Sequence, residues 1–379
     1  MGSMIRQRKL GQILLCVASG ALFGFMFLFV LTGCGSKKFY TPANIQSDVI
    51  FERMLPASIV SSDRYGAMLK DDTIITKHGL LPKHEKIPKN ARFLRESGGF
   101  YVFAKGCESL KLVRTSLIDE SAFSQATCSV KEQNTACSED EIEIPVSTCA
   151  LSASIKDNLL AIIGNDNSAT IIDINTKAQK FSQKGSSVLA VNELIAAPLF
   201  LESLVVFPTL DGRLLVVSSK TFSPERNIII SSDKFFNNVI FLEGDEDRIF
   251  AATPKKLISI VAGQEFSHLA SIKDVRFYKG FVYMLSLDGL LAQFDHTLRV
   301  VNSEKFPYAK LEGMSMMGNM LYTFESHGGY IITLSLTDFS HKVYRMQDSF
   351  GRVPANKLNF YSGDIFYYDR YYVDLNGLR

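Results

Sequence analysis

From about residue 59 onward, short apolar runs alternate with tight polar turns. The cleanest unit is 203–218, where Leu204-Val205-Val206-Phe207 and Leu214-Leu215-Val216-Val217 flank Asp211-Gly212. The segment 280–295 repeats it, with Phe281-Val282-Tyr283-Met284 before Asp288-Gly289 and an apolar run from Leu290 to Phe294 after it. In 158–173 the turn is Asn165-Asp166-Asn167, in 319–336 Gly328-Gly329, and in 363–375 Asp369-Arg370. Weaker copies centre on Asp71, Gly106 and Lys255. Paired apolar runs around such turns predict β-hairpins.

The turn centres fall near 71, 106, 166, 211, 255, 288, 328 and 369, with steps of 35, 60, 45, 44, 33, 40 and 41 residues. A step of about 40 residues is the size of one four-stranded propeller blade. The step of 60 residues contains a cluster of cysteines and Glu139-Asp140-Glu141, and reads as one blade plus an inserted loop. Isolated hairpins are marginal, and an open stack of them leaves exposed edges. Radial closure removes both problems. The expected fold is therefore all-β: a single β-propeller of four-stranded antiparallel blades over 59–379. Eight blades are expected, or seven if the Asp71 unit is an irregular lead-in. An N-terminal strand within 49–60 is expected to close the ring against the sheet containing 363–375.

The first 33 residues follow another pattern. Arg6, Arg8 and Lys9 precede an uncharged stretch, densely apolar over 21–31, that ends in Leu31-Thr32-Gly33-Cys34. A basic head, an apolar run and small residues before a cut describe a secretory signal peptide; an uncleaved membrane anchor is the alternative. The four residues 31–34 resemble a bacterial lipobox. That resemblance implies lipid on Cys34, with 34–58 as a lipidated tether, and Gly35 after it favours the outer membrane, facing the periplasm. Several buried acyl chains hold a protein far better than one.

Without Arg6, Arg8 and Lys9 the chain carries 38 basic and 39 acidic residues, a balance that offers nucleic acid no basic excess. The 28 Phe and 14 Tyr residues, with no Trp, favour strands over helices. Cys107, Cys128, Cys137 and Cys149 lie in one stretch of 43 residues. An even, clustered set in an exported protein predicts two disulfides. A zinc site is the rival, but the stretch has no C-x₂-C pair and no His. Of the three pairings, Cys128–Cys137 with Cys107–Cys149 is preferred, the second closing the insertion at its base.

The segment 197–217, with Ala197-Pro198 before the two apolar runs, resembles the repeat of quinoprotein-type (PQQ-like) β-propellers. Joined to a lipobox, it resembles the BamB-type outer-membrane assembly lipoproteins. The resemblance implies a scaffold, not an enzyme, whose partners are envelope proteins, such as the outer-membrane β-barrel assembly machinery. The chain departs from that repeat in lacking the tryptophan that commonly closes it.

Candidate chemistry is sparse. No Rossmann, Walker A, zincin or EF-hand signature is present. Gly313-Met314-Ser315-Met316-Met317-Gly318 has one residue too many for a nucleophile elbow, and Ser231 with Lys234 forms only an S-x-x-K match. His78 and His84 flank Pro82 and read as loop residues. The acidic run 243–247 offers oxygen ligands for calcium but also reads as a solvated connection between blades. The aromatic cluster Phe366-Tyr367-Tyr368 and Tyr371-Tyr372 reads as a strand with one face buried and the other near the rim. No cofactor, metal or small-molecule substrate is expected. The competing functional classes are an accessory of another envelope machine, such as a secretion system or flagellar motor, and a periplasmic quinoprotein-type or sugar-acting enzyme.

Overall fold

The computed structural model describes residues 38–378 apart from 52, 119–139, 189–190, 246 and 349–350. Cys34, Cys128 and Cys137 therefore lie outside the described residues, as does the expected signal segment. From Tyr40 to Arg379 the chain forms one compact unit.

The described residues build eight blades in chain order. Blade 1 runs from Ile59–Ser62 to Gly79–Leu80, blade 2 from Arg92–Ser97 to Glu141–Pro145, and blade 3 from Ala150–Lys156 to Gln179–Lys184. Blades 4, 5 and 6 run from Leu199–Phe200 to Pro224–Ile229, from Phe241–Gly244 to Gln264–Leu269, and from Ile272–Tyr278 to Val300–Lys305. Blade 7 spans Leu311–Met317 to His341–Asp348, and blade 8 begins at Asn359–Ser362. The first strand of each blade contacts the first strand of the next from blade 2 round to blade 1, so the first strands line the axis. They start on what we call the upper face and end on the lower face. The turn between second and third strands, and the link between blades, therefore lie on the upper face.

All eight turns read from the sequence are these upper-face turns, Asp71 and Lys255 included. In two of them a hydroxyl two residues before the aspartate locks the loop: Thr209 Oγ1 donates to Asp211 Oδ1 at 2.6 Å, and Ser286 Oγ donates to Asp288 Oδ1. Gly289 follows with φ +81°, and a Cβ there would sit 2.3 Å from the Phe306 carbonyl oxygen. Glycine meets both the backbone angle and the close approach.

The core is divided into eight apolar clusters, each shared by two consecutive blades and the last joining blade 8 to blade 1. Successive side chains on a strand point to opposite faces, so one strand feeds two clusters. In Leu159–Gly164, Leu160 and Ile162 pack toward blade 2, while Ala161 and Ile163 pack toward blade 4. Burial on both faces explains why the central strands read as unbroken apolar runs. The same reasoning corrects the expectation for the aromatic cluster. Phe366 and Tyr368 pack toward blade 7 and Tyr367 toward blade 1, so consecutive residues are buried and neither face lies at the rim.

Closure uses the N-terminal segment twice. Ser47–Ile50 adds to the outer edge of blade 7, parallel to His341–Asp348. Arg53–Met54 then pairs antiparallel with Tyr371–Asp374 as the outermost strand of blade 8. Blade 8 is thus stitched from both ends of the unit, and Val49 and Phe51 seal its cluster with blade 7.

Cys107 and Cys149 are disulfide-bonded. Cys107 sits in the upper-face turn of blade 2, and Cys149 in the link to blade 3. The insertion leaves from the opposite end, where Thr115 N donates to the Gly99 carbonyl and Arg114 N to the Asp140 carbonyl. The bridge encloses the insertion in a covalent loop of 42-residue separation but fastens the far end of the blade. Chain-entropy reasoning gives such a loop about 4 kcal/mol. Replacing both Cys107 and Cys149 by serine should lower unfolding free energy by about 2–4 kcal/mol in urea titration. A loss below about 0.5 kcal/mol would show that the bridge does not constrain the unfolded chain.

Candidate site on the propeller axis

The turn between the first two strands of blade 1 crosses the axis. Asp63 shapes it: Asp63 Oδ1 accepts from Tyr65 N at 2.8 Å and from Gly66 N at 3.0 Å. Gly66 is required because a Cβ there would fall 2.5 Å from the Phe93 ring. Arg64 then reaches across the ring, Nη1 donating to the Val275 carbonyl at 2.9 Å and Nη2 to the Ile240 carbonyl at 3.2 Å. Nη2 also donates to Asp274 Oδ1 at 2.7 Å, and the two side chains are only 4% and 5% exposed. Tyr65 spans in another direction, its hydroxyl oxygen accepting from Ala197 N at 2.9 Å. The Arg95 guanidinium lies 4.4 Å over the Tyr65 ring, and Arg95 Nη1 donates to Ser154 Oγ at 2.9 Å. One three-residue turn thus ties blade 1 to blades 2, 4, 5 and 6.

Below this crossing the lower ends of the first strands enclose a cavity of about 340 Å³ lined by Arg64, Tyr65, Arg95, Glu243, Arg276 and Tyr361, among others. A neighbouring hollow of about 330 Å³ shares Arg64, Tyr65, Arg95 and Glu243 with it. Burial pushes the Asp274 carboxyl up, but the charges of Arg64 and Arg276 outweigh it and hold the group below the ordinary carboxylate range. Burial raises Glu243, against the pull of Arg276 and Arg64, and lowers Arg276. Tyr361 is raised well above its ordinary value by burial and then by Glu312.

Of the residues singled out from the sequence, Glu243, Met314, Ser315 and Met316 line this cavity; the others lie elsewhere or serve the fold. Ser315 is in the first strand of blade 7, and its hydroxyl donates to the Gly363 carbonyl at 2.9 Å. Ser231 Oγ donates to Asp233 Oδ2. His78 Nε2 lies 3.3 Å from Glu96 Oε2, whereas His84 Nδ1 accepts from Lys86 N. The acidic run 243–247 is a turn within blade 5 and not a connection between blades, because Phe241–Gly244 pairs with Arg248–Ala252 across it. Asp245 there pairs with Arg248 at 2.5 Å. Sequence reasoning missed Arg64. The equivalent lower-face turns of the other blades are also polar, so no local signal separates it from them.

The plasminogen-binding protein PgbB of Helicobacter pylori strain J99 is 39% identical over 383 residues, covering 93% of this chain and 70% of the relative. PgbB of strain 26695 is 40% identical over the same shares. The chain belongs to the PgbB family. No protein-family model matches it. Among solved structures, the computationally designed Ika8 protein superposes with a TM-score of 0.59 at 12% identity, covering 86% of this chain and 99% of its own. The C-terminal WD40 domain of Sif2 gives 0.56 at 11%, covering 90% and 99%. BamB from Moraxella catarrhalis gives 0.48 at 16%, covering 65% and 70%. At these identities the likeness of the PgbB-family chain to solved structures is one of fold, the β-propeller.

The Arg64–Asp274 pair makes the crossing testable. Removing one partner of a buried pair strands the other, so Arg64→Met should cost about 3–5 kcal/mol in urea unfolding, and adding Asp274→Asn should recover part of it. The Asp274 contribution is complete above its unfolded pKa of about 4 and is lost as pH falls through the depressed folded value. Asp274→Asn should therefore flatten the acid limb of the stability profile. A single-variant cost under about 1 kcal/mol would refute the crossing.

Proposed function

We propose that this PgbB-family chain is a non-enzymatic, protein-binding propeller displayed outside the cytoplasm through lipid on Cys34, with plasminogen as its partner. The observation that carries the reading is the identity of 39% over 93% of the chain to a protein named for binding plasminogen. The lipobox-like residues 31–34 support the address.

The upper face supplies a surface suited to such a partner. The link 230–240 exposes Phe235 and Phe236 at 52% and 54%, Leu269 is 77% exposed, and Leu287 is 64% exposed. These positions form one arc across blades 4 to 6. Asp233 pairs with Lys255 at 3.3 Å, Ala270 N donates to the Lys255 carbonyl, and Leu287 N donates to the Ser271 carbonyl. An exposed apolar tract with a polar rim marks a protein-binding face, and aromatic anchors carry most of the energy at such faces.

Outer-membrane barrel assembly is the second reading, favoured by the quinoprotein-type repeat at 197–217 beside the lipobox-like end. Retention of assembly subunits, rather than plasminogen, on purification from detergent-solubilised membranes would favour it.

The test joins surface capture to binding in solution. Residues 35–379 should bind immobilised plasminogen in surface plasmon resonance, and a Phe235→Ser, Phe236→Ser, Leu269→Ser variant should bind about 10-fold or more weakly. Cells carrying the full chain should capture plasminogen, and cells carrying Cys34→Ala should lose that capture. No binding at about 10 μM would overturn the proposal; full binding by the triple variant would move the site off the upper face.

A further inference from the structure

The cavity at the lower mouth of the axis contains two charged groups that the fold leaves incompletely satisfied. Asp274 Oδ1 is taken by Arg64, and Arg276 Nε stands 3.6 Å from Asp274 Oδ2, outside hydrogen-bond reach. That buried nitrogen has no hydrogen-bond partner. Glu243, on the first strand of the adjoining blade 5, lines the same cavity; its side chain, half-buried, makes neither a hydrogen bond nor an ion pair among the described residues. Its carboxyl is raised by burial, with Arg276 the foremost opposing charge. A charge withdrawn from water is costly unless it is paired and hydrogen-bonded. These two face one hollow without closing on each other.

We propose that this mouth binds a small zwitterion, an α-amino acid with an apolar side chain. Its carboxylate meets Arg276, its ammonium meets Glu243, and its side chain packs against Phe277, Met314 and Tyr361 in the same wall. A purely anionic ligand leaves Glu243 without a counter-charge, and a purely cationic one leaves Arg276 with only its ion pair to Asp274. The volume of about 340 Å³ lies at the small end of ligand pockets, suited to one amino acid and too small for a folded partner. The Arg64 crossing closes the inner end of the cavity, so the site's shape depends on the same turn that ties the blades together. The site lies on the face opposite the apolar arc and is independent of plasminogen binding.

Isothermal titration of residues 35–379 with L-phenylalanine, L-leucine and L-methionine tests this. At least one should bind with a dissociation constant below about 1 mM. Blocking its amine by acetylation, or its acid as the amide, should each weaken binding about 10-fold or more. Glu243→Gln and Arg276→Gln should do the same, while Lys255→Gln on the upper face changes nothing and Glu243→Gln still binds plasminogen. Methyl NMR of the unaltered protein gives a readout that needs no variant: Met314 and Met316, which both line the cavity, should shift on titration. No heat and no methyl shift up to about 10 mM of any of the three would overturn the proposal. Equal binding of a charge-blocked analogue would overturn it as well.

Discussion

Each blade must bury both of its faces, and neither can be buried by the blade itself. A single four-stranded sheet of this chain has apolar side chains on both sides of its two central strands, so it is stable only between two others. That constraint closes the ring, since any open arc leaves two sheets with a bare face. It also explains why the apolar clusters number one per blade interface and why the cluster between blades 8 and 1 resembles the other seven. Stability is then spread around the circle, and the N-terminal strands at blades 7 and 8 join the two ends.

The hub adds a second kind of bond. Blade interfaces connect neighbours only, but Asp63-Arg64-Tyr65 connects blade 1 to the far side of the ring. Arg64 donates from its guanidinium to two backbone carbonyls and a carboxylate, all acceptors, supplied by the opposed blades 5 and 6. The ion pair is weak evidence for added stability, because desolvation consumes much of the attraction. Its clearer effect is to fix the spacing of opposed blades and to divide the axis, leaving the lower mouth as a shaped hollow.

The fold was legible in the sequence for a physical reason: the second and third strands of blades 3, 4, 6 and 7 are buried on both faces, so they read as paired apolar runs, and Asp211-Gly212 or Asp288-Gly289 mark the turn between them. The outer strands, such as Gln179–Lys184 and Pro224–Ile229, are largely exposed and polar, and gave no comparable signal. The acidic run at 243–247 was misread as a link between blades because a solvated turn inside a blade and one between blades have the same composition. The axial site was not legible. Arg64 and Asp274 are more than two hundred residues apart, Glu243 stood out only as part of an acidic run, Arg276 sits on a strand that looks ordinary, and only ring closure brings the four side chains together.

The two faces of the disc therefore differ in chemistry: an apolar arc above, a small charged mouth below. Hydrogen–deuterium exchange of the chain with and without plasminogen tests that division most directly. The account predicts slowed exchange in 230–240, 253–256, 269–271 and 286–289, with 95–99, 241–248 and 276–280 unchanged. Protection confined to the lower-mouth segments, or absent everywhere at saturating plasminogen, would contradict it.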